Sequence, residues 1–286
     1  MVDQVLTHPE GVLIEPERPC GTGVLVLAGS SGRVDEGRAR LLAAHGATAV
    51  SIRWFGGAGQ SQGPYDVPLE TFTETLDVLA GRCDRLAMIG TSFGAEATLL
   101  TAARDPRLSA VVAFAPSPVA WAGIREDGSE TSHWTWRGEP LPYVPFVTPS
   151  RPAGDPPAFR RTYAESLAAA PAEVVAAATI PVEDIDAETV LVTGGDDQVW
   201  PADQWAPQIA ARRTAAGRLT TVVSSPAAGH RTVLPGEAVV AAGASIARGG
   251  SPATDTDLGR QAWPHLVRVL GLRQDGAGPD ARAEQV

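Results

Sequence analysis

The sequence predicts an α/β fold built on a doubly wound, mostly parallel sheet. Apolar runs typical of strands that are buried on both faces alternate with amphipathic helical segments along most of the chain. Two short β segments at the start, residues 2–7 and 11–15, predict an antiparallel hairpin, which is compatible with such a sheet. Doubly wound sheets carry their functional groups at the carboxyl ends of the strands.

The first half of the alternation has clear element boundaries. Residues 23–28 are an unbroken apolar strand that ends in Gly29-Ser30-Ser31-Gly32, and a helix follows over 35–45 until Gly46 stops it. A strand over 48–54 ends in a glycine-rich loop. The next helix, 69–79, carries four large apolar side chains on one face, at a spacing of three or four residues: Leu69, Phe72, Leu76 and Leu79. The remaining elements are predicted as strands over 85–90, 110–115, 189–193 and 219–223, and as helices over 95–103, 203–216 and 255–270.

The alternation stops between about residues 116 and 180. This stretch is rich in proline and aromatic residues, with a helix-like segment over 159–178. A long insertion in a compact domain is usually functional, and we predict that it is a lid. The predicted organisation is one α/β domain over 1–272 with this lid-like insertion, followed by a frayed tail over 273–286.

Composition excludes several classes of protein. A hydrophobic content of 44% with a net charge of −10 does not fit a disordered chain. No apolar run is long enough for a membrane span, no secretory signal is visible, and the acidic balance argues against nucleic acid as a partner. Two cysteines cannot form a disulfide framework, so a cytoplasmic location is expected. The chain has neither Lys nor Asn, which indicates a GC-rich bacterial genome.

One motif predicts a nucleophile. Gly90-Thr91-Ser92-Phe93-Gly94 is a G-x-S-x-G sequence between a predicted strand and a predicted helix. That context is typical of a nucleophile elbow, a strained turn that lifts a serine hydroxyl above the sheet. The alternative is a glycine-rich turn with an incidental serine.

A serine nucleophile needs a base and an orienting acid, in the chain order Ser, acid, His. Two later strands end in suitable loops, the first with Asp196 and Asp197 and the second with His230. We predict Asp197 as the acid, with Asp196 bonding local backbone instead. Of the five histidines, only His230 ends a loop after the acid. The absence of Lys excludes a Ser–Lys dyad, and no ligand spacing supports a metal.

An oxyanion hole is expected from two backbone N–H groups. The first belongs to Phe93, directly after the nucleophile, and the second to Ser30, in the loop after the neighbouring strand.

These residues resemble the acyl-CoA thioesterase / bile acid-CoA:amino acid N-acyltransferase family, in its C-terminal catalytic α/β-hydrolase domain. The resemblance covers roughly residues 10–272, and its motifs are 90–96, 136–146, 180–185, 194–201, 228–230, 249–252 and 262–264. Longer relatives carry an N-terminal β-sandwich domain, which we do not expect here because the residues before the resemblance are too few to form one. The amino-acid-conjugating relatives use Cys as nucleophile, where this chain has Ser92.

The resemblance implies an acyl-thioester substrate, such as acyl-CoA or a carrier-bound acyl group, and no cofactor. An oxyester on Ser92 favours transfer of the acyl group to water, so hydrolysis is the leading expectation. The alternatives are an acyltransferase to an amine or alcohol, a carboxylesterase or amidase, and a catalytically inactive binding module. Aromatic side chains are predicted to line an acyl pocket: Trp121, Trp134, Trp136, Tyr143, Phe146 and Trp200. The pairs Arg160-Arg161 and Arg212-Arg213 are candidates for binding CoA phosphates, or else solvated surface.

Overall fold

The computed structural model describes residues 1–147, 154–238 and 244–274. Its strands are β1 (Val2–Thr7), β2 (Glu10–Glu15), β3 (Thr22–Leu27), β4 (Thr48–Ile52), β5 (Val67–Pro68), β6 (Arg85–Thr91), β7 (Leu108–Phe114), β8 (Ala122–Ile124), β9 (Glu130–Ser132), β10 (Trp134–Trp136), β11 (Glu139–Pro140), β12 (Glu188–Gly194) and β13 (Thr220–Ser225). Its α-helices are α1 (Glu36–Ala44), α2 (Glu70–Ala80), α3 (Phe93–Ala102), α4 (Arg160–Ala169), α5 (Ala172–Ala178), α6 (Ala202–Ala215) and α7 (Pro252–Leu270). None of these helices is both long and apolar enough to cross a lipid bilayer. Most of the predicted tail, residues 275–286, lies outside the described residues.

The central sheet has eight strands in the order β1-β2-β4-β3-β6-β7-β12-β13. β2 pairs antiparallel with both β1 and β4, and the later neighbours are parallel. The predicted hairpin and the mostly parallel sheet are therefore confirmed. Every residue of β3 and β4 is buried, since both faces of the sheet are covered, and this burial explains the continuous apolar run over residues 23–27 of β3.

Two apolar clusters lie on opposite faces of the sheet. In β3, Leu25 and Leu27 belong to the first cluster, whereas the alternate residues Val24 and Val26 belong to the second. Residues from α2, α3 and α6 complete the first cluster, and residues from α1 and α7 complete the second. Helices on both faces are the arrangement of a doubly wound sheet, as predicted.

The chain leaves the sheet between the end of β7 and the start of β12. This segment contains β8 to β11, α4 and α5, and its residues Trp121 and Trp134 join the first cluster. β10 pairs in parallel with β5 from the body of the domain, so the segment packs on the face that carries α2, α3 and α6. The helix predicted over 159–178 is two helices, because the extended backbone at Ala170 and the following Pro171 interrupt it.

Candidate active site

Ser92 occupies the turn between β6 and α3. Its backbone angles are φ 59° and ψ −121°, a combination that non-glycine residues rarely adopt. The two flanking glycines allow this turn. A Cβ at Gly90 would overlap the carbonyl of Gly94, and a Cβ at Gly94 would overlap the carbonyl of Ala28. The G-x-S-x-G motif therefore forms the strained turn that a nucleophile elbow requires.

Asp197 and His230 meet at the ends of β12 and β13. Nδ1 of His230 lies 2.8 Å from Oδ2 of Asp197, and the Asp197 side chain is fully buried. The other carboxylate oxygen, Oδ1, accepts the backbone N–H groups of Val199 (2.8 Å) and Trp200 (3.1 Å). An ionised carboxylate has no proton to donate, so Nδ1 carries the proton of this bond and Nε2 is left available as an acceptor.

Asp196 has a different position from its neighbour. It is exposed, and its two carboxylate oxygens accept the Gln198 side-chain N–H and the Gly250 backbone N–H, each at 2.8 Å. The Gly250 bond, followed by the Gln198 bond, lowers the pKa of Asp196. Asp196 therefore connects the loop after β12 to the segment that precedes α7, and does not contact His230.

The histidine loop is held by partners that the sequence did not reveal. The backbone N–H of His230 donates to the carbonyl of Arg248 (2.8 Å), and that of Gly229 donates to Oδ1 of Asp255 (2.8 Å). Asp255 is buried in the first turn of α7, and burial raises its pKa. The Gly249-Gly250-Ser251-Pro252 motif is the signal that could have indicated this support, since a Cβ at Gly249 would overlap the carbonyl of Asp196.

A cavity of about 540 Å³ contains Ser92 and His230 in its lining. Ser30 and Phe93, predicted as oxyanion donors, line the same cavity. Ser30 is exposed in the loop after β3, and Phe93 is the first residue of α3. The first N–H groups of an α-helix have no acceptor within the helix, so the Phe93 amide is suited to bind an anion. The structure thus brings five predicted site residues together, four on this cavity and Asp197 behind His230.

The sequence between residues 67 and 271 matches the model of the family described as BAAT / Acyl-CoA thioester hydrolase C terminal. The chain belongs to this family. The match runs from β5 through α7 and includes the loops that carry Ser92, Asp197 and His230. The chain is thus an enzyme of the α/β-hydrolase type, with an activity of the esterase or thioesterase kind.

Solved structures support the fold of this family member. The "Putative Dienelactone Hydrolase" of Klebsiella pneumoniae subsp. pneumoniae MGH 78578 is 16% identical with a TM-score of 0.50, over 92% of this chain and 93% of that one. A protein named m3DLH is 18% identical with a TM-score of 0.52, over 94% of this chain and 95% of that one. At these identities the likeness shows the fold alone. No curated protein matches the sequence.

The six aromatic residues predicted for the acyl pocket do not line this cavity. Three of them are fully buried tryptophans whose indole N–H groups bond inside the protein: Trp121 to Ser117 Oγ, Trp134 to Glu96 Oε1, and Trp200 to the carbonyl of Ala115.

The other three residues predicted for the acyl pocket, Trp136, Tyr143 and Phe146, are half-buried. Phe146 stacks on Trp121, and Trp136 lies near the guanidinium groups of Arg104 and Arg137. Tyr143 is not among the residues that line the cavity. The observed cavity lining differs from the predicted one because these aromatic residues pack the insertion onto the body of the domain. The aromatic side chains on the cavity are instead Phe93, Phe159 and Tyr163.

The predicted phosphate-binding arginines also lie elsewhere in this hydrolase. Arg160 bonds Asp203 (2.7 Å), Arg161 pairs with Glu165 (2.6 Å), and Arg212 pairs with Glu183. Arg213 is fully buried among backbone carbonyls, and burial lowers its pKa to about 10.

Four other arginines line the cavity: Arg33, Arg38, Arg231 and Arg248. Burial opposes the charge of Arg38, but its ion pair with Glu237 (2.6 Å) outweighs this effect and raises the pKa of Arg38. Among the described residues, no group of three or more His, Cys, Asp or Glu side chains could hold a metal ion.

Proposed function

We propose that this enzyme hydrolyses an acyl thioester through an acyl-enzyme on Ser92, with His230 as the base and Asp197 as the orienting acid. One observation carries the proposal. The buried Asp197–His230 pair, joined at 2.8 Å, stands at the same cavity as a serine in a strained strand-to-helix turn. Such a pair makes a hydroxyl nucleophilic, because the imidazole takes the proton and the carboxylate stabilises the imidazolium that forms.

The proposed steps use these groups in turn. Ser92 Oγ bonds to the acyl carbon while Nε2 of His230 takes the hydroxyl proton, and the N–H groups of Phe93 and Ser30 bind the oxyanion. The carbon–sulfur bond then breaks, and the leaving thiolate receives the proton from His230. Water attacks the resulting ester in the same way and gives its proton to His230. The bond to Ser92 Oγ breaks, the serine regains its proton and the carboxylic acid leaves.

Two arguments favour a thioester and water as the reactants. The family is described by acyl-CoA thioester hydrolysis, and its model covers the loops of all three proposed triad residues. An oxyester on serine is less open to attack by an amine than a thioester on cysteine, which favours hydrolysis over acyl transfer. We also propose a cytoplasmic location, because Cys20 and Cys83 are both free thiols and free thiols fit a reducing compartment.

A substrate panel tests the proposal. Acyl-CoAs, N-acetylcysteamine thioesters and simple oxyesters are incubated with the enzyme while thiol or acid release is followed, with and without added amino acids. We expect thioester hydrolysis that is lost in Ser92→Ala, with an acyl adduct on Ser92 visible by mass spectrometry. The matched control is Ser224→Ala, the same change at an exposed serine of β13. Full turnover by Ser92→Ala would contradict the mechanism, and amine-dependent products with little hydrolysis would indicate a transferase.

A further inference from the structure

The first turn of α4 is bonded to the loop of the proposed acid. The backbone N–H groups of Phe159 and Arg160 both donate to the carbonyl of Gln198, at 2.9 Å and 3.0 Å. The first N–H groups of a helix have no acceptor within the helix, and α4 has no side-chain cap, so this carbonyl takes the place of a cap. The start of α4 is therefore fixed by the residue that directly follows Asp197 in the chain.

The Arg160 side chain adds two bonds to the same region. Its Nη1 donates to the backbone carbonyl of Asp197 (2.9 Å), and its Nη2 donates to Oδ1 of Asp203 (2.7 Å), the second residue of α6. The side chains of Arg160 and Asp203 are only 23% and 28% exposed, so their charge-assisted bond is partly shielded from water. A guanidinium is planar and presents its donors at fixed angles, so the two bonds together orient the group. Arg160 therefore bridges the main chain of the proposed acid and the helix that follows its loop.

The same turn of α4 contributes to the cavity of the proposed active site. Phe159 and Tyr163, one helical turn apart, both line it. The ring of Tyr163 packs edge-on against Trp200, with 5.2 Å between centroids, and the backbone N–H of Trp200 donates to Oδ1 of Asp197. The Trp200 ring in turn lies 5.8 Å from the imidazole of His230. The residue on which this turn packs is therefore one that also holds the acid and contacts the base.

We propose that Arg160 is a positioning residue that holds Phe159 and Tyr163, which we call the acyl wall, at a fixed place relative to Asp197. The inference rests on the proposed function, since the acyl chain and the acid are those of that reaction. Aromatic side chains in the lining of a cavity suit an apolar acyl chain. Arg160 acts through its neighbours, by bonding the carbonyl of the acid from the helix that supplies the wall. One side chain thus sets both the selectivity for the acyl chain and the orientation of the acid.

A series of saturated thioesters measures both effects. Acetyl-, butyryl-, hexanoyl- and octanoyl-N-acetylcysteamine are hydrolysed by wild type and by Arg160→Gln. We expect wild-type kcat/KM to rise by up to about fourfold for each methylene that contacts the acyl wall. In Arg160→Gln the gain per methylene should fall below about twofold and kcat should fall about tenfold, because the shorter amide cannot bridge the two acceptors. Arg160→Lys should restore part of both, since its single ammonium can still bind one acceptor.

The adjacent arginine provides the matched control. Arg161→Gln is the same change at a side chain that is 83% exposed and pairs with Glu165 on the surface of α4. It should leave kcat and the gain per methylene within about twofold of wild type. A fall of both quantities in Arg160→Gln alone supports the proposal. Loss of only one of them, an equal loss in Arg161→Gln, or a wild-type kcat/KM that does not vary with chain length would overturn it.

Amide hydrogen exchange keeps this test separate from that of the proposed function, because it needs no substrate. Exchange is followed by mass spectrometry in wild type, Arg160→Gln and Arg161→Gln. We expect exchange about tenfold faster in Arg160→Gln, both at the start of α4 and in the loop after β12, and no change in Arg161→Gln. That result supports the coupling even if no thioester is turned over. Unchanged exchange in the loop after β12, or faster exchange throughout the domain, refutes it even if thioesters are hydrolysed.

Discussion

Replacement of Asp197 by Asn tests the proposed mechanism most directly. The Asp197 carboxylate accepts three N–H groups, one from His230 and two from the backbone of Val199 and Trp200. An Asn side chain has one acceptor oxygen and one NH₂ group. Whichever way it is turned, the NH₂ group faces an N–H donor, unless the imidazole moves its proton from Nδ1 to Nε2. A proton on Nε2 prevents His230 from accepting the proton of Ser92.

The expected loss in kcat for Asp197→Asn is about 10⁴-fold, which corresponds to roughly 5.5 kcal/mol in the activation barrier. Stopped-flow measurement of thiol release gives kcat, and thermal unfolding checks that the variant is folded. KM should change much less than kcat, since Asp197 lies behind His230 and is itself fully buried.

The adjacent residue provides the matched control. Asp196→Asn keeps an oxygen that can accept the Gly250 N–H and loses one bond to the half-buried Gln198 side chain. We expect its kcat to remain within about threefold of wild type, as for other surface substitutions. Retention of more than about a tenth of wild-type kcat by Asp197→Asn, or an equal loss in Asp196→Asn, would refute the assignment of the acid.

Three further predictions concern stability and are measured by urea unfolding. Gly94→Ala should destabilise the fold by about 2–3 kcal/mol because its Cβ would overlap the carbonyl of Ala28. The control, Gly37→Ala at an open position of α1, should stabilise the fold by about 0.5–1 kcal/mol. Equal effects of the two substitutions would contradict this reasoning. Glu96→Ala should cost about 3 kcal/mol or more because it leaves buried N–H donors unpaired, and Glu96→Gln, which keeps an acceptor oxygen, should cost less than half as much. Burial raises the pKa of Asp255, so the native state binds the proton of this carboxyl group more tightly than the unfolded state does. The stability that this difference contributes is complete below about pH 4 and is lost as pH rises through the native pKa. The stability of Asp255→Asn relative to wild type should therefore increase from about pH 4 upward, and a difference that does not vary with pH would contradict this.

The parts of the fold that could be predicted are those governed by local pattern. The buried strands around Ser92 contain apolar runs. The turns and helices that follow these strands are indicated by the positions of glycines and by apolar residues at helical spacing. The loops with Asp197 and His230 could be located because parallel strands end at one edge of the sheet. Apolar runs, glycine positions and helical spacing depend on residues that are close in sequence, so they can be recognised without a structure.

The lining of the cavity could not be predicted in the same way. Aromatic residues in the insertion indicated an acyl pocket, but the same composition also suits packing onto the body, and Trp121 and Trp134 are used for packing. Which arginines face the cavity depends on side-chain directions set by distant contacts. Arg248 is 18 positions beyond His230, and neither the bond between their backbones nor the place of Arg248 in the lining could be predicted from that separation.

The loop that carries Arg248 joins the loop of the proposed base to the loop of the proposed acid. Its backbone contacts the amide of His230 and, through Gly250, the carboxylate of Asp196 in the loop of the acid. The Arg248 guanidinium adds to this arrangement, since it donates to the carbonyls of Ala244 and Ile246 in the same loop. Insertions, deletions or grafts in this loop would therefore displace the proposed base. For this enzyme, specificity should be altered one side chain at a time and not by exchanging loops between relatives.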